Sequence, residues 1–467
     1  MKTQIFSRRV PIPAPATDVF QWHARPGAFE RLTPPWEAVE ILERSGGIEN
    51  GARVALRMCL GPFSRQWIAE HYGYEEGRQF RDVQVSGPFA RWVHTDRIVP
   101  QGLDSCVLED RIEYALPGGQ LGQMVAGAFA KKKLERLFTY RHAVTYGDVL
   151  AHYARPYSES GGVSMKVLVS GASGLVGSAL LSFLTAGGHS VARLVRTQPP
   201  ANQTDREGQV FWAPDSGSID QAGLEGLDAV VHLAGENIAS GRWTPELKRR
   251  ILDSRVNGTR LLSEALAKCS QPPKVLVSAS AIGYYGNRGD EVLTEESELG
   301  AGFLAEVCRD WEAAVEPATQ KGIRTVLLRI GVVLSSAGGA LKRMLMPFKL
   351  GLGGVVGDGK QYMSCIGLDD AVGAIHHTIV TGALSGPVNA VSPQAVTNRE
   401  YTKALGKVLG RPTIFPMPAF AARMAFGEMA DELLLPSARV EARKLLESGY
   451  TFRSPTLESI LRHGLGK

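Results

Sequence analysis

Apolar and polar positions follow two different rhythms along this chain, and the rhythm changes between residues 157 and 165. Up to that point the period is mostly two. Lys2 to Val10 alternates until PIPAP breaks it, and Thr17 or Asp18 is placed to cap a short helix carrying Val19, Phe20 and Trp22. Strand-like segments then follow Pro34-Pro35, separated by glycine turns: Ala38–Arg44, Arg53–Leu60, Ser64–Tyr74, Gln79–Val85, Ala90–Val99 and Ser105–Leu116. From about Gln120 to His152 the spacing becomes three–four, with Leu121, Met124, Val125, Ala128, Leu134, Leu137 and Phe138 on one stripe, so one long helix closes this half. Residues 158–164, SESGGVS, are short, polar and glycine-rich and read as a flexible linker.

Met165 looks like a second start, and from here strands and helices alternate. Strands are expected at 166–170, 190–195, 209–212, 228–233, 274–280 and 325–330. Helices are expected within Trp243–Leu266 and over Phe303–Thr319. A glycine-rich loop, LGLGGVVGDGK, follows Pro347 and leads into a further helix. From Pro387 onward short strands mix with helices at Arg399–Leu409, Ala419–Met429 and Ser437–Ser448. The reading is therefore three pieces and a linker: 1–157, 158–164, 165–386 and a small last domain at 387–467.

Composition excludes several classes. At 467 residues the chain is too long for one ordinary core. Its 44% hydrophobic and 21% charged residues suit a globular protein, and a net charge of +5 is modest for the size. Lys and Arg are scattered, and the one tight run, Lys131–Lys133, fits a solvated helix face better than a nucleic-acid patch. The five cysteines are far apart, with no Cys-x-x-Cys and no His/Cys cluster, so neither a disulfide framework nor a zinc site is indicated. No apolar run is long enough to span a bilayer and the first fifteen residues contain no signal-type apolar segment, which points to the cytoplasm.

The sharpest chemistry lies in MKVLVSGASGLVGSALLSFLTAGGHSVARLVR, residues 165–196. A β-branched run ends in Gly171, Gly174 and Gly177, and an apolar helix opens directly behind them. The first glycine permits the tight turn, the second lets backbone approach a pyrophosphate, and the third lets helix pack on strand. The helix start offers free N–H groups and the positive end of a dipole. Val195 stands at the end of the second strand, where an NAD site carries an acid, and Arg196 follows. A neutral residue and a guanidinium suit a ribose 2′-phosphate, which favours NADP(H) over NAD. The fourth strand ends in VHLAGEN, whose small residues let backbone lie against a ribose; His232 within it reads as a buried strand residue.

Together SGASGLVG, VVHLAGENI, SRVNGTRLL and VLVSASAIGYYG resemble the extended short-chain dehydrogenase/reductases. GGVVGDGKQ and GRPTIFPMP narrow the likeness to the nucleoside-diphosphate-sugar epimerase-like subgroup, which ends in a small domain of its own. The resemblance implies a Rossmann-like doubly wound parallel α/β sheet. It also implies that Gly171, Ala172, Ser173, Gly174, Leu175 and Val176 hold a pyrophosphate and Arg196 the 2′-phosphate. Leu233, Ala234 and Gly235 then line the ribose, and Arg255 approaches the cofactor from the next helix. The family orients its substrate hydroxyl with a Ser or Thr and moves the proton on a Tyr depressed by a Lys. Ser280 matches the first of these. By register against Trp311-Glu312 the Tyr and Lys positions fall on Leu304 and Cys308, which cannot supply a proton or a positive charge. Tyr284 and Tyr285 are the nearest substitutes, in a catalytic role or packed beneath the nucleotide. Cys365 and Gly367 replace the Trp and His that usually follow the glycine loop.

The element order of residues 1–157 resembles the START-like (polyketide cyclase/dehydrase-like) helix-grip fold, an α+β domain whose curved sheet wraps its long helix around an apolar cavity. That would let Trp67, His71, Trp92, His94 and Tyr114 line a hydrophobic-ligand site, the alternative being that they are core. Two functional readings follow. One is an NADP(H)-dependent oxidoreductase or epimerase acting on a sugar nucleotide or another small hydroxy/keto compound. The other is a non-catalytic NADP(H)-binding sensor or scaffold coupled to the N-terminal domain. No metal, nucleic-acid or membrane partner is expected, and oligomeric state is not legible.

Overall fold

The computed structural model describes residues 3–60, 63–153, 164–197 and 208–467, so the expected linker lies outside the described residues except for Ser164. The chain divides into two compact units: residues 1–163 with 182–188 and 466, and residues 164–181 with 189–465 and 467.

The first unit is a seven-stranded antiparallel sheet with one long helix. Its elements are β1 (Gln4–Ile12), α1 (Ala16–Ala24), α2 (Ala28–Leu32), β2 (Val39–Ser45), β3 (Arg53–Leu60), β4 (Phe63–Glu75), β5 (Gln79–Ser86), β6 (Arg91–Pro100), β7 (Cys106–Ala115) and α3 (Gly119–Tyr153). The sheet order is β1-β7-β6-β5-β4-β3-β2. Period-two patterning is plain in β6, where Trp92, His94, Asp96 and Ile98 are buried, and in β7, where Cys106, Leu108, Asp110, Ile112 and Tyr114 are. α3 sets Leu134, Phe138, His142, Thr145 and Val149 into the core at three–four spacing.

Two local expectations are corrected here. PIPAP does not end the first strand at Val10, because β1 runs to Ile12 with Pro11 paired opposite Val107. β1 is the edge of its sheet, where a missing N–H costs no ladder bond. α1 begins two or three residues earlier than Thr17 or Asp18 would allow, with Pro15 at its N-cap and no side-chain cap.

The second unit holds β8 (Lys166–Ser170), the part of α4 (Leu175–Ala186) up to residue 181, β9 (Ser190–Val195), β10 (Gln209–Ala213), β11 (Ser218–Ile219), β12 (Ala229–His232), α5 (Pro245–Ala267), β13 (Val275–Ala281), β14 (Val292–Leu293), α6 (Phe303–Ala313), α7 (Glu316–Gln320) and β15 (Arg324–Ile330). There follow β16 (Val332–Leu334), α8 (Gly339–Lys349), β17 (Tyr362–Met363), β18 (Cys365–Gly367), α9 (Leu368–Val380), β19 (Gly386–Ala390), β20 (Val396–Thr397), α10 (Asn398–Leu409), α11 (Ala419–Phe426), β21 (Arg439–Val440), α12 (Arg443–Glu447) and α13 (Leu457–Leu465). The main sheet runs β11-β10-β9-β8-β12-β13-β15-β19, parallel throughout except for β11. Strand order reverses between β8 and β12, which opens a crevice at their carboxyl ends. β19, which spans the expected boundary at 387, is the last strand of this sheet. A separate core joins Leu334, Leu341, Phe348, Cys365, Tyr401 and Leu405 to Leu457, Ile460 and Leu461. Among the described residues no helix is long and apolar enough to cross a membrane.

Three helix expectations change. Phe303–Thr319 is not one helix: α6 stops at Ala313 and α7 restarts with Pro317 in its first turn, where a missing N–H is tolerated. Ala419–Met429 ends early, at Phe426, because Gly427 takes φ +62°. Ser437–Ser448 is mostly not helical, since Arg439 and Val440 pair with β14 before α12 begins. α13 was not visible as a separate element. α10 matches its expectation, framed by a Thr397/Glu400 capping box and by Gly410 at φ +64°.

Two buried groups yield predictions. Arg31 of α2 grips Asp148 of α3 through Nε (2.7 Å) and Nη2 (2.9 Å), with side chains 4% and 0% exposed. Asp148→Ala takes the bidentate carboxylate from a buried guanidinium and is expected to remove about 3–5 kcal/mol of stability in urea unfolding; a loss under about 1 kcal/mol would mean that the pair behaves like a surface bridge. His232 is fully buried on β12, and burial lowers its pKa from 6.5 to about 4. The unfolded chain therefore binds the extra proton first. Stability from the neutral imidazole is complete above pH 6.5 and is lost as pH falls towards 4. His232→Gln should flatten the pH dependence of unfolding in that window by up to roughly 3 kcal/mol, and an unchanged slope would refute the assignment.

Candidate functional site

The crevice is built by two turns that touch. Ser170, the last residue of β8, donates its hydroxyl to His232 Nδ1 (2.7 Å) and accepts from the N–H groups of Leu233 (3.0 Å) and Ala234 (3.2 Å). The next residue, Gly171, sits at φ +66°, and a Cβ there would lie 2.7 Å from the Leu233 carbonyl carbon. Only glycine allows that approach. A Cβ on Gly177 would come 2.2 Å from the Gly171 oxygen, which is the close helix-on-strand packing anticipated for the third glycine. Gly174 differs, since a Cβ there would meet only the Gly171 oxygen, at 3.2 Å, within 4 Å. Ser173 and Gly174 are exposed. The loop thus presents open backbone beside the first turn of α4, whose N–H groups have no carbonyl partners of their own.

Leu233, Ala234 and Gly235 continue from β12 over the same crevice. Their turn is propped from α5: Ser254 Oγ accepts from the Glu236 N–H (3.0 Å), and Arg255 Nη1 donates to the Glu236 carbonyl (3.1 Å) and the Ile251 carbonyl (3.1 Å). The Arg255 guanidinium packs over the Trp311 ring at 5.0 Å, and a Cβ on Gly235 would be 3.2 Å from its Cζ. Arg196 follows β9, the neighbour of β8, and is exposed, with no ion pair among the described residues. Glycine cradle, small-residue turn and exposed guanidinium suit a dinucleotide with a phosphorylated ribose.

One strand over, Ser280 lies near the end of β13, 3% exposed. Its hydroxyl donates to Glu312 Oε1 (2.6 Å). Glu312, on α6, is held bidentately by Arg329 of β15 through Nε (2.8 Å) and Nη2 (2.8 Å). Arg329 Nη1 donates to the Tyr285 hydroxyl (3.0 Å), and its Cζ lies 3.5 Å from the centre of the Tyr284 ring. Burial alone would lower the Arg329 pKa, but the Glu312 carboxylate outweighs it and raises it. In the sequence Glu312 marks only a register and Arg329 falls unremarked inside the strand expected at 325–330. The available signal was a charged residue closing a buried strand, which must find a partner.

The two tyrosines part company. Tyr285 is fully buried and donates its hydroxyl to Asn389 Oδ1 (2.7 Å), and burial, against the pull of Arg329, pushes its pKa up to about 12. That phenol is committed to the framework linking β13 with β19. Tyr284 remains partly exposed. Leu304 and Cys308 face the turn after β13, since a Cβ on Gly283 would lie 3.3 Å from Leu304 Cβ and 3.8 Å from Cys308 Sγ. Burial, reinforced by the Glu312 charge, pushes the Cys308 thiol up to about 11, so it is neutral at pH 7. Cys365 lies in the C-terminal core, its thiol pushed up to about 12 by burial.

In the first unit Trp67, Trp92 and Tyr114 gather around Phe89. Trp67–Trp92 and Phe89–Trp92 ring centres are both 4.9 Å apart, and Phe89–Tyr114 6.1 Å. His94 is drawn instead into a group of aspartates, and His71 stands beside Asp82 with its pKa lowered by burial.

Comparison with known proteins follows the same division. Residues 167–390 match the NAD dependent epimerase/dehydratase family, 12–139 the polyketide cyclase/dehydrase and lipid transport family, and 417–464 a domain of unknown function. An epimerase family protein of Mycobacterium bovis is 46% identical over 295 residues, covering 63% of this chain and 96% of that protein. The human epimerase family protein SDR39U1 has a crystal structure with NADPH. It is 34% identical, with a TM-score of 0.59, over 64% of this chain and 99% of that one. The nucleoside-diphosphate sugar epimerase of Corynebacterium glutamicum is 33% identical, with a TM-score of 0.79, over 99% of this chain and 90% of that one. With a polyketide cyclase-like, START-type domain ahead of a Rossmann-type unit, the chain belongs to the epimerase family of NAD(P)-dependent, short-chain dehydrogenase-like proteins.

Proposed function

We propose that the second unit is an NADP(H)-dependent oxidoreductase or epimerase acting on a sugar nucleotide or another small hydroxy/keto compound. The observation that carries this is the joining of two features in one crevice: an open glycine loop at the β8/β12 strand reversal, and a Ser280 hydroxyl aligned by a buried carboxylate. In support of a division at 1–157, 158–164, 165–386 and 387–467, the matches at 12–139 and 417–464 each fall within one piece, and the match at 167–390 passes the last boundary by the four residues that complete β19. Gly171 to Val176 are assigned to the pyrophosphate, Arg196 to the 2′-phosphate, and Leu233, Ala234 and Gly235 to the ribose. Arg255 positions that turn. The human relative crystallised with NADPH favours the phosphorylated cofactor.

Bound there, the nicotinamide supplies a hydride acceptor or donor. The rest is the work of the chain's own residues. Because Ser280 spends its proton on Glu312, its lone pairs are left to accept from a substrate hydroxyl, and Arg329 fixes Glu312 so that this direction is kept. Tyr284 is the phenol available to exchange the proton at the substrate oxygen; Tyr285 secures Arg329 from behind. The second reading, a non-catalytic NADP(H) binder, draws on the neutral Cys308 and the apolar Leu304 at the family's Lys and Tyr positions.

NADPH and NADH titrations followed by fluorescence test the cofactor assignment. Arg196→Ala should weaken NADPH at least tenfold, the scale of one charge-assisted contact, and leave NADH unchanged. Equal effects on both would remove Arg196 from the site. Hydride exchange between labelled NADPH and a panel of keto compounds then separates the two readings. Turnover reduced about a hundredfold or more in Ser280→Ala, with NADPH affinity kept, supports the enzyme. Tight binding with no exchange in the unaltered protein selects the non-catalytic binder.

A further inference from the structure

The N-terminal unit gathers three aspartates around one buried histidine. On the helix-facing side of the sheet, Asp82 of β5 pairs across from His94 of β6, and Asp96 of β6 pairs across from Asp110 of β7. Directly opposed residues share a face, so all four side chains converge. His94, Asp96 and Asp110 are 4%, 6% and 3% exposed, and Phe138 of α3 covers the His94 ring at 5.3 Å. Among the described residues no Lys or Arg forms an ion pair with any of the three aspartates. Their cationic partners are imidazoles: His94 for all three, and His142 for Asp110.

The hydrogen bonds around His94 are directional. Its Nε2 lies 2.9 Å from Asp110 Oδ1, and Asp110 is anchored on its other oxygen by His142 Nε2. A proton on Nε2 satisfies that contact and leaves Nδ1 as a lone pair. That nitrogen faces two carboxylate oxygens, Asp82 Oδ1 at 3.1 Å and Asp96 Oδ2 at 3.4 Å. A lone pair aimed at two carboxylates repels them unless a positive charge lies between. Trp92 Nε1 donates to the other oxygen of Asp82 (3.1 Å), which turns Oδ1 inward. Two ligands bound about 2.1 Å from one ion and 90–109° apart are roughly 3.0–3.4 Å from each other, the separations seen at Nδ1. The three ligand atoms all lie within 4.8 Å of one another.

We propose that Asp82, His94 and Asp96 bind one divalent first-row transition ion, with Asp110 and His142 orienting the histidine ligand from behind. An imidazole whose far N–H is held by a carboxylate is the usual support of a metal-bound histidine. One nitrogen among oxygens selects against Ca²⁺ and Mg²⁺, which take oxygen alone. Asp82, whose side chain is 17% exposed against 5% for His94, marks the side on which the ion enters and a fourth ligand binds. Neither the family matches nor the Rossmann-side chemistry assigns this site.

The test uses the full chain, stripped with chelator and titrated separately with Zn²⁺ and Co²⁺. One equivalent of Zn²⁺ should be retained through desalting, and Co²⁺ should give visible d–d absorption. His94→Gln and Asp96→Asn should each weaken Zn²⁺ at least a hundredfold. Asp110→Asn should weaken it ten- to a hundredfold while the Co²⁺ spectrum persists. Circular dichroism checks folding; if the buried variants do not fold, the more exposed Asp82→Asn decides by the same loss of affinity. No ion held below about millimolar in the unaltered protein would mean that a proton alone occupies the cluster, and the proposal falls. Retention unaffected by Asp82→Asn or by His94→Gln would place the ion elsewhere and overturn it equally.

Discussion

Everything on the Rossmann side depends on one close approach of backbone to backbone. The turn leaving β8 must nearly touch the turn leaving β12 if a single cofactor is to be cradled by both. Gly171 removes the side-chain atom that would collide with Leu233, and the Ser170 hydroxyl bonds three groups of the opposite turn at once. Because His232 uses its Nδ1 to accept from Ser170, its burial as a neutral ring is part of the same joint. The joint positions Leu233 and Ala234 before any ligand arrives, which lowers the ordering cost of binding. Ser254 and Arg255 hold the continuation of the turn from below, so the second wall of the crevice is fixed at both ends.

Behind Ser280 lies a second constraint of a different kind. The Glu312–Arg329 pair is buried, with side chains 9% and 3% exposed, and burial of such a pair is seldom favourable by Coulomb attraction alone. Here each partner has further work. Glu312 takes the Ser280 proton, and Arg329 meets both the Tyr285 hydroxyl and the Glu295 carbonyl while stacking on Tyr284. Tyr285 passes the chain of bonds to Asn389 on β19, so β13, α6, β15 and β19 are tied by one polar network. Such a network rewards completeness, because one missing partner leaves a charge stranded in low dielectric.

The glycine loop was legible from its context: three glycines at that spacing between a strand and a helix meet steric demands, and a Cβ at Gly171 or Gly177 would collide with backbone. Strand positions and the long helix of the first unit were legible from period alone, although Met124 and Val125 of the expected apolar stripe are exposed. The supports were not. Ser170 and Glu312 look like ordinary strand-end and helix residues until the fold brings positions 62 and 32 residues away against them. The buried aspartates of β5, β6 and β7 were hidden for a related reason. Alternation marks which face a residue takes, but Asp at an inward position reads as an interruption of the apolar pattern and not as one member of a cross-strand set. Helix ends failed where tertiary pairing overrode propensity, as at Arg439 and Val440.

The replacement at the Tyr and Lys positions changes the electrostatics of the reacting end in a definite direction. In the family pattern an ammonium from the helix depresses the phenol. Here the helix contributes a neutral thiol, and the nearest cation, Arg329, comes from the strand side already matched by a carboxylate. That guanidinium is paired with Glu312 and lies 3.5 Å from the centre of the Tyr284 ring. What the arrangement does retain is orientation: a serine hydroxyl whose proton has one destination, fixed by a carboxylate that cannot turn. On the proposed enzymatic reading, chemistry at this end rests on positioning the substrate oxygen more than on a strongly activated acid or base.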